Sequence, residues 1–115
     1  MSNILEEDIE LDMSEEELRA SEREFRVVEV MEEYERKMQL LTSQYSEAEQ
    51  KTWATQLEEA RAYLKDTSMA VPMLTEIADG KEISALAQSI VAKAEYLKIE
   101  SGKILAWKNR EIEKI

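Results

Sequence analysis

At 115 residues the chain can build one modest domain but not two with separate cores. Its two glycines and single proline leave little turn chemistry for a hairpin-rich fold. With no histidine or cysteine it cannot form a disulfide, a thiol nucleophile, a Cys/His zinc site or a His-based acid–base pair, and no cofactor is expected.

The net charge of −11 is unevenly spread, since residues 1–24 hold ten acids against only Arg19 and Arg23. An acidic chain is poorly suited to phosphate backbones and anionic lipid, both of which reward Lys and Arg. No apolar run approaches the roughly 18–20 residues that span a bilayer. Met1–Met13 is acidic and lacks the apolar core of a secretory signal. The expectation is a soluble protein made inside the cell, with no nucleic-acid or membrane partner.

Residues 1–13 mix acids with Ile4, Leu5, Ile9, Leu11 and Met13 at no consistent helical or strand spacing. They read as a partly disordered acidic arm, either a solvated tail or an apolar-dotted peptide that docks on a partner. Residues 14–115 read as a single elongated helical domain. Ser14 followed by Glu17 matches a capping box, with Glu15 to Glu17 suited to the positive end of a helix reaching about Leu41. Its expected apolar stripe is Leu18, Phe25, Val28, Met31, Tyr34, Met38 and Leu41, continuing to Tyr45, with Val27 and Val30 widening it. From Met31 onward the 3-4-3-4 spacing is that of a coiled-coil seam, and a plain amphipathic helix is the alternative.

Thr42–Ser46 predicts a break. Ser46 and Glu49 open a second capping box and a helix over 47–65, whose apolar face carries Trp53, Leu57, Ala60 and Leu64, with Tyr63 beside it. Asp66-Thr67-Ser68 ends it by offering side-chain oxygens to the backbone. Pro72 suits the first turn of a short helix, and Gly80 its left-handed stop. A long final helix from about Ile83 to Lys114 follows. Along it Ile83, Leu86, Ile90, Ala94, Leu97, Ser101, Ile104, Lys108 and Ile112 recur near the 3.6-residue period, and Ala87, Val91 and Leu105 broaden the face. Gly102 marks either a kink or the close approach of another helix. Lys93, Lys98, Lys103 and Lys108 recur every fifth residue, so they spiral about 140° per step instead of forming a basic stripe.

The fold class is therefore all-α: an elongated helical hairpin or bundle of two or three long helices plus a short one, with a candidate coiled-coil segment. A helix of 28 residues is about 42 Å long, more than a compact domain with a radius of gyration near 13 Å can enclose. The apolar stripes should then exceed what one copy can cover. Enzymatic activity is not expected, because the carboxylates Glu32, Glu33 and Glu35 lie on one exposed helix without an opposing wall. Asp8, Glu10 and Asp12 lack the glycine and closing glutamate of a calcium loop. Candidate partner-binding residues are Leu18, Phe25, Met31, Tyr34, Met38, Leu41, Tyr96 and Trp107. Trp53 is assigned to the core.

The run Tyr45-Ser46-Glu47-Ala48-Glu49, then Thr52-Trp53, Gln56, Glu59-Ala60 and Arg61-Ala62-Tyr63-Leu64, leads after a polar break to Val71-Pro72-Met73-Leu74. Ile83, Val91-Ala92-Lys93-Ala94 and Ser101-Gly102-Lys103-Ile104 complete the pattern. In that order these pieces resemble a helical module of tailed-bacteriophage tail and tail-fibre assembly proteins, over residues 45–115. The resemblance implies a helix-mediated protein binder whose partner is a tail-fibre or baseplate protein. It implies either a chaperone in the host cytoplasm during assembly or an adaptor retained in the virion tail. It carries no catalytic residues. Residues 1–44 depart from the pattern, since many such proteins have a β-rich or proline-containing segment there. Two other readings stand beside it: an acidic DNA mimic that occupies a nucleic-acid-binding protein, prompted by the charge of residues 6–24, and a self-associating coiled-coil module.

Overall fold

Ser14 accepts the backbone N–H of Glu17 on its Oγ at 3.1 Å, and from that cap an uninterrupted helix, α1, runs Glu15–Thr42. The computed structural model describes residues 14–115, and the acidic arm at 1–13 lies outside the described residues. Ser43 closes α1 by donating its hydroxyl to the Leu40 carbonyl. Ser46 caps the next turn, α2 (Glu47–Gln50), through the Glu49 N–H. The helix expected over 47–65 is broken after this turn. Thr52 donates its hydroxyl to the Glu49 carbonyl at 2.7 Å, drawing a backbone acceptor out of the helical ladder, and α3 starts afresh at Trp53–Lys65. Asp66 then accepts both the N–H and the hydroxyl of Ser68, as its position after the helix suggests.

Helix α4 (Pro72–Ala78) has proline in its first turn and ends through Asp79 and Gly80, both left-handed, with φ of 48° and 83°. Helix α5 spans Ile83–Glu113 without interruption at Gly102. A Cβ built on Gly102 meets nothing within 4 Å, so no neighbouring helix requires glycine there.

The described residues are 81% helical, contain no strand and form a body 69 Å long. Helix α5 is the spine on which α1, α3 and α4 all pack. Along its C-terminal half lies α1, running antiparallel: Arg26 pairs with Glu111 at 3.5 Å, while Lys37 sits over the Trp107 ring. Its N-terminal half carries α3 and α4, which also pack on each other. The molecule is thus a two-helix hairpin at one end and a three-helix bundle at the other.

The small core lies in the bundle: Ala60, Val71, Leu74 and Ala87 are buried, with Tyr63, Ile83, Leu86, Ile90 and Val91 packed around them. In the hairpin Val30 is the fully buried residue. Most of the expected α5 stripe, from Ile83 to Ile112, is half-buried or buried; Leu105 lies at its edge, 42% exposed. In α3 Tyr63 turns inward, while Leu64 is left at 41% exposure.

The α1 stripe needs a correction of register. The inward residues are Val30, Tyr34, Lys37 and Leu41, flanked by Met38, and these keep coiled-coil-like spacing. Met31 is shifted off the seam and Leu18, Phe25 and Val28 face outward. The reason is Lys37. A reading by apolar residues passes over it, yet its stem lies along α5 and its ammonium stands 4.8 Å from the Trp107 ring centroid.

Candidate binding groove

Helix α1 stops covering α5 near Thr42, and α3 begins to cover it at Trp53. Between them the middle of α5 is left partly open, forming a groove of about 450 Å³. Trp53 and Leu57 supply one wall, and Ile90, Ala94 and Leu97 supply the floor. Small residues create the space: Ala94 and Ser101 occupy stripe positions where a leucine would fill the gap.

The joint around this groove is well held. Gln50 donates its side-chain amide to the Tyr45 carbonyl at 3.1 Å and reaches the Thr42 carbonyl at 3.5 Å, tying α2 back to the end of α1. The Tyr45 and Trp53 rings meet edge to face with centroids 5.1 Å apart. Lys93 projects over both, its ammonium 3.7 Å from the Tyr45 centroid and 5.7 Å from that of Trp53. Aromatic faces attract a cation through their quadrupole, so this ammonium is held at the groove without a carboxylate partner among the described residues. Trp53 is therefore a half-buried groove wall and does not belong to the buried cluster.

Lys98 also borders the groove and pairs with Glu95 at 3.7 Å, where both side chains are at least half exposed. No Asp or Glu is among the residues lining it. The spiralling lysines accordingly have separate roles. Lys93 and Lys98 edge the groove, Lys103 pairs with Glu100 at 3.0 Å, and Lys108 lies 5.4 Å from the Tyr34 ring centroid.

The eight candidate partner-binding residues do not form one surface. Tyr34, Met38 and Leu41 are half-buried against α5, and Trp107 is half-buried beside Lys37. Leu18, Phe25 and Met31 are exposed on α1, with Phe25 the most open at 68%. Tyr96 is exposed on α5, outside the groove, near Ile99. The groove was not singled out from the sequence, although the small residues at Ala94 and Ser101 within an otherwise bulky stripe are the signal that marks it.

The carboxylates carry structural pairings. Glu33 is held below the usual glutamate range by its hydrogen bonds to Arg36 and the nearby Lys37 charge. Glu111 is lowered by Lys114, with smaller help from Arg26 and Arg110, and Asp66 by the two Ser68 donors. Among the described residues no three His, Cys, Asp or Glu side chains gather into a metal-binding group. None of the helices among them is long and apolar enough to cross a membrane. Comparison with protein-family models, curated proteins and solved structures found no match.

Proposed function

We propose that this protein is a tailed-phage tail or tail-fibre assembly factor that works by packing one helix face against a tail protein. The observation that carries the binding mode is the outward row on α1. Leu18, Phe25 and Val28 are 50%, 68% and 52% exposed and lie on one side of the helix at spacings of seven and three. Helix spacing of this kind is how a partner helix is read by side chains one and two turns apart. Glu22, Glu29 and Glu32 flank the row, so the complementary partner segment is an apolar helix edged by Lys or Arg.

The tail assignment rests on the resemblance of residues 45–115 to the phage helical module. The shape is consistent with this role, since a long spine with one helix face left open presents an extended contact surface. The phosphate-mimic reading is less favoured, because Arg19, Arg23 and Arg26 interrupt the acids of α1 and Arg19 pairs with Glu15 at 3.2 Å.

Purified chain should capture a tail-fibre or baseplate protein encoded beside it, identified by mass spectrometry of the complex. Phe25→Asp should abolish capture while leaving the helical circular-dichroism signal intact, because the side chain is mostly in solvent. A chain that ignores every neighbouring tail protein, or a Phe25→Asp variant that binds as before, would defeat the reading.

A further inference from the structure

We infer that the groove between α1 and α3 is occupied by residues 1–13 of a second copy of this chain. The groove has apolar walls, two lysines at its edge and no carboxylate, in a protein with 26 acids to 15 bases. Its complement is a short peptide that is both greasy and strongly negative. Residues 1–13 have that composition: Ile4, Leu5, Ile9 and Leu11 alternate with Glu6, Glu7, Asp8, Glu10 and Asp12, and no Lys or Arg is present. The volume of about 450 Å³ takes a few side chains and not a whole helix, which suits a short peptide.

Reach decides which copy supplies the peptide. Helix α1 separates Ser14 from the groove border at Thr42 by 28 residues, about 42 Å at 1.5 Å per residue. Thirteen residues cover at most about 43–47 Å when fully extended. Within one chain only Met1 would arrive, and the stretch from Ile4 to Asp12 would be spent in transit. A second molecule has no such constraint. Ser14, where the arm joins α1, lies far from the groove on each copy, so the contact is heterologous unless two copies exchange arms reciprocally. This association is independent of which tail protein the α1 row takes. Failure of tail-protein capture would leave it standing, and the reverse also holds.

A charge-swap experiment on the full chain tests it. One variant carries Lys93→Glu and Lys98→Glu; the other carries Lys in place of Glu6, Glu7, Asp8, Glu10 and Asp12. In analytical ultracentrifugation the unaltered chain should associate with rising concentration, and more weakly at high salt. Each variant alone should associate at least about tenfold more weakly, because its arm and groove now share a sign. Mixed in equal amounts the two should form a 1:1 complex, since each arm again meets a groove of opposite charge. That rescue also shows that neither variant failed merely by misfolding. The inference is overturned if the unaltered chain stays monomeric, if either variant associates as well as it does, or if mixing restores nothing.

Discussion

The carboxylate of Glu59 on α3 accepts the backbone N–H of Leu74 on α4 at 3.0 Å. Val71 ahead of α4 provides no side-chain cap, and Pro72 has no N–H to satisfy, so the first-turn donor at Leu74, which has no partner within α4, is met from another helix. The same bond fixes Leu74, the largest fully buried side chain among the described residues, in the core between α3 and α5. Glu59→Ala should cost about 1 kcal/mol in chemical denaturation, the range of a lost cap. Glu59→Gln, which keeps an acceptor oxygen, should recover most of it.

Leu74→Ala should be far more damaging, by about 2–5 kcal/mol, because it opens a cavity in a core of very few residues. Leu40→Ala, at a side chain 60% exposed, should change stability by less than about 0.5 kcal/mol. Paired urea titrations with equal m-values would show whether the contrast lies in stability alone.

The two glycines should respond in opposite directions. Gly102→Ala places a methyl in open space within a helix interior and should stabilise the chain by about 1 kcal/mol. Gly80→Ala puts a side chain at φ +83° and should destabilise it by about 1–2 kcal/mol. Thermal unfolding of the two variants checks the sign of each.

Lys37→Met keeps the stem on the α1–α5 seam but removes the cation over Trp107. A loss of about 0.5–1 kcal/mol is expected, with a shift in Trp107 emission read in a Trp53→Phe background. Lys37→Ala should lose more, since the packed methylenes go as well.

Acid should weaken the fold through Glu33, Glu111 and Asp66, whose folded pKa values are all depressed. Such groups contribute stability fully present above the ordinary carboxylate values of about 3.9–4.3, and lost as pH falls below them through the lowered folded values. Denaturant midpoints should therefore drop below about pH 4. In Glu111→Gln, which removes the titrating carboxylate charge that pairs with both Arg26 and Lys114, that drop should be shallower.

Local chemistry was enough to place the helices. Ser14 and Ser46 as caps, Pro72 and Gly80 as punctuation, and the 3.6-residue stripe of α5 all act within a turn or two of themselves, so they can be read in order along the chain. The break at Thr52 escaped that reading because it depends on a hydroxyl choosing the Glu49 carbonyl, a contact a helix-favouring sequence does not require. Which face of α1 turns inward was decided only when α5 packed on it. Lys37 joins the seam because Trp107, seventy residues later, offers a ring to its ammonium, and with it Tyr34, Leu41 and the flanking Met38 become internal contacts while Phe25 is left outside. The groove has the same origin. Its walls come from α1, α3 and α5, and its opening from where two covering helices stop short, a relation between distant segments that periodicity within any one of them cannot express.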